Sequence, residues 1–111
     1  MLENKLDKLF QQYACLQKSA ISRKPAECGH HIVARRFKIL RWDIANCYPC
    51  TLQEHILIHE GKIKVEVSET LEKLKQVNFK NYLLQQGITE QDFMLKQKQI
   101  LTREIEELKC N

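Results

Sequence analysis

A chain of 111 residues, with 43% hydrophobic and 29% charged residues, has the length and composition of one small soluble domain. No apolar run approaches the roughly 20 residues of a membrane-spanning helix, so the composition excludes a membrane protein. The first residues lack the apolar segment of a secretory signal and the five cysteines are odd in number, so we expect a reducing cytoplasm with thiols or metal-bound cysteines.

The first third of the chain is predicted to hold one helix and one strand. Apolar residues recur every three or four positions from Leu2 to Leu16, which predicts a helix over roughly residues 2 to 18. A linker follows from Ser19 to Pro25. The β-branched pair Ile32 and Val33 then indicates the beginning of a short strand.

The middle of the chain contains a second extended piece and a capped helix. After a basic loop, the residues from Cys47 to Cys50 indicate the extended piece. Thr51 and Glu54 have the spacing of a capping box, which predicts a helix that begins at about Leu52. Gly61 has the position of the glycine that ends such a helix.

The last part of the chain is predicted to be mainly helical. The alternation in "KIKVEV" indicates a short strand, and helices then begin at Ser68, at Phe79 and, with Asp92 as its capping partner, at Thr89. The fold class is therefore α+β and mostly helical, in a single domain. Its parts are an N-terminal helical segment (1–22), a core of two extended pieces and one helix (28–62) and C-terminal helices (68–111).

The net charge of +4 is concentrated in one region. Between Arg23 and Arg41 six basic residues face a single acid, Glu27. A positive patch of this kind suits a polyanion such as DNA. The alternative interpretation is a solvated basic loop with no partner.

All four histidines lie within one stretch of thirty residues, 30–59: His30, His31, His55 and His59. His55 and His59 are one turn apart on the capped helix and therefore share a face, where a divalent metal would suit two imidazoles. The alternative for such a pair is simple solvation or one hydrogen bond each.

The adjacent pair, His30 and His31, adds a second feature. Neighbouring side chains of an extended segment point to opposite sides, so one imidazole can join a metal while the other stays free beside it. A free imidazole has the pKa range to take a proton from water. Asn46 could hold this base, either by accepting its ring N–H or by bonding nearby backbone.

The spacing His30-His31-x14-Asn46-x8-His55-x3-His59, followed by Gly61-Lys62, resembles the HNH nuclease motif, and in particular the DNase domains of nuclease colicins. The resemblance spans residues 29–62 and implies a ββα-metal fold flanked by helices. It implies that His30, His55 and His59 bind one divalent ion (zinc, magnesium, manganese or nickel). His31 would be the general base and Asn46 would orient it, in an endonuclease that hydrolyses DNA.

A second resemblance concerns the basic loop. The stretch "GHHIVARRFKILRWDIAN" is similar to one in the phage recombination endonucleases called Rap or NinG, which act on branched DNA. It implies a branched or recombination substrate and the cytoplasm of a bacterium or a phage-infected host. The paired Cys-x2-Cys motifs of that group are not reproduced, because Lys18 stands where a partner of Cys15 would be.

Four basic residues of the loop are expected to contact DNA phosphates: Arg35, Arg36, Lys38 and Arg41. Trp42 could stack on a base or, as the alternative, pack under the loop. Cys28, Cys47 and Cys50 could hold a structural zinc together with Cys15, or remain buried thiols.

Two other functional classes are compatible with the sequence. One is a non-catalytic DNA-binding protein in which the histidines and cysteines hold a structural zinc ion. The other is a helical interaction protein in which the histidines are incidental. The apolar faces of the first and last helices are most simply core, and any excess apolar surface would form a homodimer interface.

Overall fold

The computed structural model describes residues 1–110, which form six helices around a small two-stranded sheet. The α+β, mostly helical class predicted from the sequence is confirmed. A 3-10 turn, Ile44–Asn46, precedes the second strand. The elements are α1 (Leu2–Cys15), β1 (Cys28–His31), α2 (Lys38–Arg41), β2 (Cys47–Cys50), α3 (Leu52–His59), α4 (Glu69–Lys75), α5 (Phe79–Gln86) and α6 (Glu90–Cys110).

The two strands are antiparallel, and their register pairs Cys28 with Cys50 and His31 with Cys47. The first strand begins and ends earlier than predicted, because the chain turns inward after His31. Val33 is buried in the core, where its main-chain N–H donates to the Asn46 side chain instead of to a strand. Its β-branched side chain therefore marks a core position and not the beginning of the strand.

The strand predicted at residues 62–67 is wrong. The main-chain N–H groups of Lys62 and Ile63 both donate to the Leu57 carbonyl and so close the end of α3. In the described part of the chain the sheet consists of β1 and β2 alone, and this segment has no strand to pair with. Alternation of side chains without a partner strand gives an extended connection only.

Helix α1 lies between the sheet and α6 and carries the centre of the core. Its buried face consists of Leu6, Phe10 and Ala14. The same core contains Trp42 from the basic loop and Leu101 from α6, each almost fully buried. The basic loop is thus partly helical and is anchored from inside, as one of the two interpretations of Trp42 predicts. No helix among residues 1–110 is both long enough and apolar enough to cross a membrane.

Gly29 lets β1 come unusually close to α1. A Cβ atom at this position would lie 2.8 Å from the Ala14 Cβ and 2.9 Å from the Cys47 Sγ. Gln11 of α1 also holds the strand, since its side-chain amide accepts from the Gly29 N–H at 2.8 Å and donates to the Gly29 carbonyl at 3.1 Å. The strand that carries the adjacent histidines is therefore fixed against α1 immediately before His30.

Candidate metal centre

Helix α3 presents two of the histidines, and both of its ends are fixed by local signals. Thr51 and Glu54 form the predicted capping box. Gly61 has the left-handed conformation, with a φ of 76°, that the predicted helix end requires. His55 and His59 lie one turn apart, with their Nε2 atoms 3.0 Å apart.

His30 of β1 faces the same pair from the sheet. The centroid of its ring lies 5.3 Å from that of His55 and 5.6 Å from that of His59. One ring nitrogen from each of the three residues lies within 4.8 Å of the others. The three histidines predicted as ligands are therefore brought together, and they could hold a metal ion.

The environment keeps the imidazoles of His30 and His55 in the neutral form that binds metals. Burial, and then the charges of His55, His59 and His31, lower the pKa of His30 from 6.5 to about 4. Burial and the neighbouring His59 lower the pKa of His55 in the same way. Both rings are neutral at pH 7, and a metal ion does not have to displace a proton from either of them.

His31 lies on the opposite side of β1, as expected for the neighbour of His30 on a strand. Its ring stacks on Phe10 of α1, with the centroids 4.2 Å apart and the planes at 9°. Its Nε2 atom is 2.8 Å from the Arg41 carbonyl oxygen. Because a carbonyl only accepts, the Nε2 atom carries the hydrogen and the Nδ1 atom keeps its lone pair.

The net effect of the surroundings keeps His31 neutral. Burial lowers its pKa below the usual value of 6.5, although the hydrogen bond to the Arg41 carbonyl acts in the other direction. The ring can therefore accept a proton at Nδ1 at pH 7.

Asn46 does not hold the His31 ring. It is fully buried, and its Oδ1 accepts from the Val33 N–H at 2.7 Å. Its Nδ2 donates to the carbonyls of Val33 and Leu40, each at 3.0 Å. Of the two roles predicted for Asn46, bonding nearby backbone is the one observed. The ring N–H of His31 is accepted instead by the Arg41 carbonyl.

The four histidines share one open cavity of about 690 Å³, which is also lined by Asp7 and Arg35. The three residues of the cluster and the separate His31 all line this space. The cavity is large enough for a group the size of a nucleotide.

The four basic residues predicted to contact phosphates fall into two groups. Arg35 and Arg36 form the exposed group. The side chain of Arg35 is 60% exposed and has one contact, 3.3 Å long, with Asp7, and the guanidinium of Arg36 lies over the Phe37 ring. Lys38 and Arg41 instead pair with acids of other helices. Lys38 contacts Glu90 at 2.6 Å and Glu3 at 3.2 Å, and Arg41 contacts Asp7 at 2.7 Å and Glu3 at 3.2 Å.

Arg41 is the residue for which this finding matters most. Its side chain is only 15% exposed, and its charge is compensated by carboxylates of α1. Its guanidinium is part of the protein's own ion-pair network, and the expectation that it contacts phosphate stays a prediction. The acids that pair with it lie 34 and 38 residues away in sequence, and no spacing rule pointed to them.

The cysteines differ in burial: Cys50 is buried, Cys28 and Cys47 are partly buried, and Cys15 and Cys110 are exposed. The Sγ atoms of Cys28 and Cys50 are 3.7 Å apart across the sheet, and all five cysteines are free. Burial raises the pKa of Cys47 and of Cys50 to about 12, so both are thiols at pH 7 in the metal-free protein. Within residues 1–110 no third ligand joins this pair at metal-binding distance.

In comparisons with known proteins, the chain matches no protein-family model, no curated protein and no solved structure.

Proposed function

We propose that this chain is a metal-dependent endonuclease of the HNH type that hydrolyses phosphodiester bonds in DNA. The observation that carries the proposal is the common cavity: three imidazoles meet within 4.8 Å on one side of β1, and His31 borders the same cavity. A structural metal site has no use for an additional oriented imidazole, whereas a hydrolytic site can use one as its general base.

The donor set favours some ions over others. Three neutral imidazole nitrogens suit zinc or nickel, whereas magnesium prefers oxygen ligands. Three protein ligands also leave coordination positions for water and substrate, as catalytic sites require. The ion would stabilise the charge that develops on the phosphoryl group and on the departing oxygen.

His31 would then act as the general base. Its Nδ1 lone pair takes a proton from the attacking water, and its Nε2–H continues to donate to the Arg41 carbonyl. The stacking on Phe10 holds the plane of the ring. A base oriented in this way contributes about 10²- to 10⁴-fold to the rate.

The exposed arginines supply contacts to DNA phosphates. Arg35 lies at the cavity, where its single contact with Asp7 can be exchanged for one with a phosphate. Arg36 is the next residue along the chain and has no carboxylate partner among the residues described. Phosphate contacts of this kind fix the position of the substrate but do not read its sequence.

The test is nicking of a supercoiled plasmid by the metal-stripped protein, with zinc, nickel, manganese and magnesium added back separately. We expect nicking to return with at least one ion. His31→Ala should abolish nicking and retain the metal, whereas His59→Ala should lose both. A four-way junction compared with a linear duplex of the same sequence would test the branched-DNA specificity.

Two results would contradict the proposal. The first is a plasmid that stays intact with every ion although the protein binds both metal and DNA, which would indicate a non-catalytic DNA-binding protein. The second is a His31→Ala variant that nicks as fast as the wild type, because the proposed base would then have no role.

A further inference from the structure

Asp7 of α1 binds three groups of the basic loop with its one carboxylate. Its Oδ1 accepts from the Arg41 Nε at 3.1 Å and from the Trp42 Nε1 at 2.8 Å. Its Oδ2 accepts from the Arg41 Nη2 at 2.7 Å and from the Arg35 Nη2 at 3.3 Å. The ion pair between Asp7 and Arg41 is bidentate, and this geometry fixes the orientation of both side chains.

Arg41 and Trp42 are consecutive, and the peptide bond between them carries the Arg41 carbonyl. Asp7 therefore holds the side chains on both sides of the group that accepts the His31 Nε2–H. Trp42 is 1% exposed, which leaves this end of the peptide little freedom. The preceding carbonyl, that of Leu40, is held separately by Asn46.

We propose that Asp7 is the positioning residue for His31: by fixing the peptide between Arg41 and Trp42, it selects the Nε2–H tautomer and leaves Nδ1 free to accept a proton. The catalytic meaning of this inference rests on the proposed nuclease function. The tautomer itself does not, because it follows from the hydrogen bonds of the metal-free protein.

The tautomer of His31 can be read directly. In the full-length, metal-free protein, the ¹⁵N chemical shifts of the ring nitrogens distinguish a protonated Nε2 from a protonated Nδ1. We expect wild-type His31 to be protonated at Nε2 only. In Asp7→Asn an amide NH₂ faces the Arg41 guanidinium, donor against donor, so the peptide is released and the two tautomers become mixed.

Glu3→Gln is the matched control. Glu3 also pairs with Arg41, at 3.2 Å, but it has no hydrogen bond with Trp42. This variant loses the same charge from the same helix, and we expect it to keep the wild-type tautomer. Asp7→Glu, which retains the carboxylate, should restore part of the wild-type signal.

The kinetic measurement separates positioning from folding. For plasmid nicking, we expect Asp7→Asn to lower kcat about 10- to 100-fold, as loss of an orienting partner typically does, with KM and zinc affinity unchanged. A variant that is merely less stable would recover its full kcat under conditions where it is folded.

The inference is overturned if wild-type His31 is protonated at Nδ1 or is a mixture, a measurement that needs no variant. It is also overturned if folded Asp7→Asn keeps the Nε2–H tautomer of the wild type, whatever its kcat. If the wild type does not cut DNA with any metal, the proposed function fails, and the ¹⁵N shifts still decide the role of Asp7.

Discussion

Gly29 is the residue at which the smallest change should have a large effect. Its Cα lies so close to α1 that a methyl group would contact the Ala14 Cβ at 2.8 Å and the Cys47 Sγ at 2.9 Å. Real Cβ atoms do not approach so closely, so Gly29→Ala must push β1 away from α1. We expect this variant to lose about 1–3 kcal/mol of the free energy of unfolding, the usual cost of overpacking. Urea denaturation would measure it.

A double-mutant cycle tests whether the contact with Ala14 is the cause. Ala14→Gly alone should cost about 1 kcal/mol, because glycine is a poor helix former. Combined with Gly29→Ala, it removes one of the two close contacts, so the double variant should be more stable than the sum of the single effects predicts. Strict additivity would show that the Cys47 sulfur, or a shift of the whole strand, accounts for the loss.

At the level of elements, α3 links local sequence signals to the candidate metal centre. The Thr51 side chain accepts from the Glu54 N–H, and the first turn of the helix leads directly to His55. Thr51→Ala removes this cap and should cost about 1 kcal/mol of stability. Because fraying of the first turn also moves His55, zinc affinity measured by calorimetry should fall as well.

Ser68→Ala is the control for this prediction. Ser68 caps α4 through the Leu71 N–H, and α4 carries no histidine. The two variants should lose similar stability, but Ser68→Ala should keep the zinc affinity of the wild type. Equal loss of affinity in both would mean that the site responds to global stability and not to the cap of α3.

The elements differ in how far the sequence could predict them. The beginnings of α3, α4 and α6 are correct, because each depends on a capping residue within three positions of its partner: Thr51, Ser68 and Thr89. The strand at 62–67 is wrong, because a strand exists only with a partner that lies elsewhere in the chain.

The same distinction applies to the site. His55 and His59 could be paired from the sequence because they share one helix turn, and the resemblance to the HNH motif added His30. The acceptor for His31 and the partners of Arg41 could not be predicted. The first joins β1 to the basic loop across 10 residues, and the others join α1 to the basic loop across 34 and 38 residues. No local sequence signal records any of them.

At the level of the whole molecule, the histidines couple stability to pH in the metal-stripped protein. The folded pKa of His30, about 4, lies below its ordinary value of 6.5. Between these values the unfolded chain binds more protons than the folded one. The contribution of His30 to the free energy of unfolding is therefore fully present above about pH 6.5 and decreases as the pH drops toward 4. His31 and His55 have lowered pKa values and add to the same slope.

Denaturation in urea at a series of pH values from about 7 to 5 would measure this slope, above the range in which carboxylates titrate. His30→Asn should reduce it, because its side chain does not titrate. If the free energy of unfolding of the wild type does not change between about pH 7 and 5, the burial that lowers the pKa of His30 is contradicted.

The distribution of charge over the molecule reduces the basic surface that the proposed DNA substrate could contact. The formal charge of +4 suggests a broad basic patch, but acids of α1 and α6 pair with Lys38 and Arg41. Arg35, with its single 3.3 Å contact to Asp7, and Arg36 are the exposed basic residues of the loop. Each phosphate contact contributes about 0.9 to the slope of log affinity against log salt. Replacing Arg35 and Arg36 with alanine should therefore lower that slope by about 2, and binding of a labelled duplex at several salt concentrations would measure it.

The matched control removes the same charge from elsewhere. Lys96 and Lys109 are exposed on α6, and neither lines the cavity of the histidines. Replacing both with alanine should leave the salt slope unchanged if phosphates are bound locally beside the cavity. If the two double variants lowered the slope equally, DNA would be responding to the net charge of the whole molecule, and the positions of Arg35 and Arg36 would carry no information about where the substrate lies.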